Sequence, residues 1–114
     1  MGRARIADDV GLAAVRSVER DRDTTATAVR YLLQLLAEGA EGNTVEIRVP
    51  PYGAVQAIAG PRHTRGTPPN VVELDAETWV AIATGELSWG EALAEGRVAA
   101  SGSRADLSAY LPLI

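Results

Sequence analysis

A chain of 114 residues is long enough to bury one hydrophobic core without disulfides or a structural metal. Cysteine is absent, which excludes disulfides, thiolate metal sites and cysteine nucleophiles; with no Phe, two Trp and three Tyr, the core must be built of Ala, Val and Leu. The formal net charge is −4 and all eleven basic residues are Arg, a composition that suits a GC-rich genome and lacks the basic run needed to neutralise nucleic-acid phosphates.

No apolar run approaches the ~20 residues that span a bilayer, and the opening MGRARIADD has no hydrophobic segment of signal-peptide type. The expectation is a soluble cytoplasmic protein. Asp9–Arg20 reads as a modest helix through Val10, Ala14, Val15 and Val18, and the charge run ERDRD, residues 19–23, as a solvated connection. The strongest helix signal is TTATAVRYLLQLLAEGA, where Ala28 or Val29, Leu32, Leu35 and Leu36 recur at helical spacing. Asp23 or Thr24 is placed to cap its start, and Gly39 to end it.

TVEIRV alternates Val45, Ile47 and Val49 against Thr44, Glu46 and Arg48, the period of a strand buried on one face. YGAVQAIAG follows the Pro50-Pro51 pair as an antiparallel second strand, and Val71–Leu74 forms a third. Asp75 caps a helix over AETWVAIAT that is closed by Gly85. Ser88 and Glu91 have the S-x-x-E spacing of a capping box, with Leu87 and Ala92 as its hydrophobic staple and Gly96 as the stop. RVAAS is a small-residue strand. Ser103 and Asp106 repeat the capping pattern ahead of a last helix through Leu107, Tyr110 and Leu111.

The stretch DAETWVAIATGELSWGEALAEGRVAASGSRADLSAYL resembles the C-terminal half of a sterol carrier protein domain. RVPPYGAVQ and GPRHTRGTPPNVVELD are similar to a small bacterial branch of that family. The resemblance implies an α/β (α+β) fold: a mixed, mostly antiparallel sheet of about five strands with helices packed on one face. It places an N-terminal extension with a short helix at 1–23 and the carrier-like domain at 24–114. It also implies an apolar tunnel for a fatty acyl chain, acyl-CoA or sterol, shortened or closed here because the Pro-rich HTRGTPPN occupies the region of another strand. A catalytic, metal-binding helical domain that accompanies some family members has no counterpart in this chain.

No catalytic constellation stands out: Ser101 in AASGS is not a nucleophile elbow, and P-loop, dinucleotide and zinc-protease motifs are absent. A lone His63 makes no metal site, so neither a metal nor another cofactor is expected. Arg62, His63 and Arg65 either contact an anionic head group or pair with nearby acids at the surface. Trp79, Ile82, Leu87, Trp89, Leu93, Leu107 and Leu111 either line an apolar pocket or fill the core. The leading expectation is a non-enzymatic carrier of a lipid or fatty acyl ligand. The alternative is a protein-interaction module, acting on a partner protein or as a homodimer, and a weaker one is a small enzyme built on the Arg62–Arg65 loop.

Overall fold

The computed structural model describes residues 4–61 and 70–114. Its elements in chain order are helices α1 (Asp8–Arg16) and α2 (Arg22–Gly39), strands β1 (Val45–Val49), β2 (Gly53–Ala57) and β3 (Asn70–Leu74), helices α3 (Ala76–Ala83) and α4 (Trp89–Ala94), and strand β4 (Val98–Ser101). A single 3-10 turn, Ser108–Tyr110, follows. Among the described residues the sheet has four strands rather than five, in the order β2-β1-β3-β4. β1 pairs antiparallel with β2 and parallel with β3, while β4 returns antiparallel to β3.

The alternation in β1 sets which face meets the helices. Val45, Ile47 and Val49 are fully buried, in register with Val55 and Ala57 of β2 and Val72 of β3. The other face is polar: Arg48 lies 2.9 Å from Glu46 and 3.9 Å from Glu73 on the adjacent strand. α2 supplies most of the helical side of the core through Ala28, Val29, Leu32, Leu33 and Leu36. Trp79, Ile82 and Ala83 of α3 close it, with Leu107 from the C-terminal segment.

The charge run 19–23 is a double cap and not merely a solvated link. Arg20 donates to the carbonyls of Ala14 and Val15 at the end of α1, at 3.2 and 2.9 Å. Asp21, rather than Asp23 or Thr24, accepts from the Thr24 N–H at 2.8 Å and opens α2. Each charge sits where the helix dipole favours it. α1 ends at Arg16, earlier than its apolar pattern suggests, because Ser17 is already extended. Val18 is consequently 97% exposed.

Asp75 caps α3 and the Ser88–Glu91 capping box opens α4, as the spacings indicate. The last helix does not form. Leu111 is extended, and Pro112 after it has no N–H with which to continue a helix. That leaves room for one turn only. Asp106 accepts from the Ser108 N–H at 2.8 Å, and the tail is held by Leu113 N–H donating to the Ala83 carbonyl at 2.8 Å.

Where β2 ends, Ile58 takes a left-handed backbone with φ 73, a conformation costing ~1–3 kcal/mol for a β-branched residue. Two backbone hydrogen bonds hold it there: its N–H to the Ala40 carbonyl at 2.6 Å, and its carbonyl from the Thr44 N–H at 3.1 Å. Gly42 makes that approach possible, because a Cβ there would collide with the Ile58 carbonyl.

Candidate functional site: an open cleft beside helix α2

An open cleft of about 890 Å³ lies between the segment leading into α1, helix α2 and strand β2. Three local features build it. β2 is an edge strand, so nothing in the described sheet lies beyond it. α2 crosses it closely enough that Leu33 and Arg30 approach Gly53. The opposite wall, residues 4–10, is fastened to α2 by the Gln34 amide: its Oε1 accepts from the Ile6 N–H at 2.8 Å and its Nε2 donates to the Ile6 carbonyl at 2.9 Å.

Helix α1 is seated on α2 by a close contact of Gly11 with the ring of Tyr31, where any side chain would strike the ring. The Tyr31 hydroxyl donates to Asp8 at 2.8 Å. That bond, reinforced by Arg5, holds the Asp8 carboxyl below its ordinary range. Burial, and then the bond to Asp8, pushes the Tyr31 phenol up.

Apolar lining comes from Ile6, Val10, Leu33 and Val55. Val10 is 54% exposed. It does not enter the core as its helical spacing suggests; it faces this cleft. The charged lining is unevenly compensated. Arg5 forms a fork on Glu38 at 2.7 and 3.0 Å and a further 3.1 Å bond to Asp8, and those carboxylates raise its pKa. Arg30, half-buried in the cleft wall, uses its Nε to donate to the Tyr52 carbonyl at 2.8 Å. Its two terminal nitrogens have no hydrogen-bond partner among the described residues.

The candidates singled out by the sequence fall elsewhere. Trp79 is fully buried and its indole N–H donates to the Val29 carbonyl at 3.2 Å; Leu107 is fully buried as well. Ile82, Leu87, Trp89 and Leu111 line a smaller pocket of about 290 Å³ under the C-terminal tail. Leu93 turns outward at 42% exposure, because the six-residue α4 buries Trp89 and Ala92 instead. Arg62, His63 and Arg65 lie outside the described residues.

Thr27, Arg30 and the apolar wall at Ile6, Val10 and Val55 escaped the sequence reading. A faint signal was present. Thr27, Arg30, Gln34 and Glu38 recur at three- and four-residue spacing and form a polar border along one side of an otherwise apolar helix. Among the described residues no three His, Cys, Asp or Glu side chains gather as a metal site, and no helix is long and apolar enough to cross a membrane.

No curated protein matches the chain by sequence. The model of the family described as bacterial SCP ortholog matches residues 21–113. This span runs from the α2 cap through all four strands to the tail, with the mixed sheet and one-sided helices that the resemblance to sterol carrier proteins implies. The chain therefore belongs to the bacterial branch of the sterol carrier protein family.

Proposed function

We propose that this protein is a non-enzymatic carrier for an apolar, acyl-type ligand, held in the open cleft between α1, α2 and β2. The observation that carries this reading is the contrast between that cleft and the interior. The space between sheet and helices is occupied by Trp79, Ile82 and Leu107, all essentially inaccessible. The cleft, at about 890 Å³, falls within the roughly 300–1,000 Å³ of small-molecule sites and has an apolar wall with a few polar groups. Membership of a carrier-type family points the same way, and a cytoplasmic setting is consistent with it.

Native mass spectrometry after incubation with hexadecanoic acid tests the proposal. A one-to-one adduct that is lost in Val10→Arg, which fills the cleft from an exposed position, is the expected result. Tryptophan emission should stay unchanged, since neither Trp lines the cleft. An adduct that shifts tryptophan emission and depends on Trp89 would move the ligand to the smaller pocket beneath the tail. A dimer with no adduct would instead favour the interaction-module reading.

A further inference from the structure

We infer that Arg30 makes the cleft selective for a ligand with an ionised carboxylate head, so that the occupant is a single-chain fatty acid rather than a neutral alcohol, ester or sterol. This rests on the carrier reading above and adds to it a residue and a head-group chemistry.

Among the described residues, three charged side chains line the cleft: Arg5, Arg30 and Glu38. Arg5 is engaged by Glu38 through a two-bond fork at 2.7 and 3.0 Å and by Asp8, just outside the lining, at 3.1 Å. Arg30 is then the one charged side chain of the lining, among the described residues, with no side chain of opposite charge bonded to it. An isolated guanidinium against an apolar wall interacts more strongly with an anion than it would in bulk water.

Geometry sharpens the chemistry. The bond from Arg30 Nε to the Tyr52 carbonyl fixes the guanidinium plane. The edge carrying the two terminal nitrogens is left without a partner among the described residues. A planar, two-donor edge matches a carboxylate bidentately, which a hydroxyl or ester cannot reproduce. Thr27 lies one turn earlier on the same side of α2 and also lines the cleft, adding a hydroxyl to the same wall.

From Thr27 to Glu38 the helix advances roughly 16 Å at 1.5 Å per residue. Leu33 follows Arg30 along this path, and Ile6, Val10 and Val55 face it from the other walls. The cleft thus has one cationic receptor for an anion and an apolar track, the pattern that a single-chain amphiphile requires. A bulky neutral ligand would leave the Arg30 charge half-buried and unanswered.

Calorimetric titration of the whole chain with dodecanoate and with dodecan-1-ol, at pH 8 and low salt, decides the matter. The acid should bind at least ten-fold more tightly than the alcohol. Arg30→Gln should lower acid affinity about ten-fold and leave the alcohol unchanged, and Arg30→Lys, which keeps the charge but not the fork, should fall between. Raising the salt should weaken the acid alone, and both variants, which lose the Nε bond to Tyr52, should melt within about 10 °C of the parent and bind the alcohol with a common affinity. Equal affinity for acid and alcohol, or an Arg30→Gln variant that binds the acid within two-fold of the parent, would overturn the head-group assignment while leaving the carrier reading intact. Failure of both ligands to bind the parent chain would remove the carrier reading, and this inference with it.

Discussion

Trp79 is joined to Val29 across the core: its indole N–H, on α3, donates to a main-chain carbonyl of α2 at 3.2 Å. The largest side chain of the interior is thus both fully buried and polar-satisfied, and it locks the two main helices at one relative height. Its counterpart Trp89, 7% exposed, borders the pocket of about 290 Å³ under the tail.

These two environments predict different costs. Trp79→Leu should destabilise the fold by about 3–5 kcal/mol, from the lost volume and hydrogen bond. Trp89→Leu should cost roughly half as much, since its site already adjoins empty space. Urea denaturation followed by far-UV circular dichroism measures both. Equal losses would mean that the Trp89 environment is packed as tightly as that of Trp79.

Gly11 is the contact on which α1 depends. Gly11→Ala should lever α1 away from the Tyr31 ring at a cost of about 1–3 kcal/mol, despite the better intrinsic helix propensity of Ala. Hydrogen exchange should show lost protection in residues 8–16 with little change in the sheet. A gain in stability would contradict the close approach.

The titrating groups set an acid and an alkaline limit. Hydrogen bonds from Tyr31 hold the Asp8 carboxyl low, and backbone N–H groups of Thr24, Thr78 and Ser88 do the same for Asp21, Asp75 and Glu91. A depressed folded pKa contributes stability above the unfolded value, near ~4. That contribution is lost as the pH falls through the folded pKa. Burial raises the Tyr31 pKa, so its contribution is complete below about pH 10 and disappears as the pH rises through the elevated value. Melting temperature should therefore be flat between about pH 5 and 9 and fall on both sides. Tyr31→Phe should blunt the alkaline fall, and an unchanged alkaline limb would reject the Tyr31 assignment.

Asn70, at the start of β3, spans two other segments: its Nδ2 donates to the Thr44 carbonyl at 3.0 Å and its Oδ1 accepts from the Arg104 N–H at 2.9 Å. Replacement by Ala strands both backbone groups and should cost about 2–4 kcal/mol. Asn70→Asp keeps the acceptor but introduces a buried charge next to a carbonyl, so it should be at least as damaging. Chemical denaturation of the pair, with an unchanged slope, checks this; a loss below about 0.5 kcal/mol would show the clamp to be dispensable.

Much of this protein was legible from residues a few positions apart. The alternation of Val45, Ile47 and Val49 defines the buried face of β1, and the Asp75 and Ser88–Glu91 spacings define the starts of α3 and α4. These features rest on interactions within one strand period or one helical turn, so local sequence determines them. Tertiary structure decided the rest. Asp21 won the α2 cap over Asp23 because the chain from α1 delivers it, with Arg20, to the gap between two helix ends. Leu93 faces outward because a helix as short as α4 follows whichever side chains the core already accepts, here Trp89 and Ala92. The charge on Arg30 became distinctive only when folding paired Arg5 with Glu38, thirty-three positions away, and brought Tyr52 to its Nε. Whether a charge is compensated depends on distance in space, and spacing along the chain does not encode that.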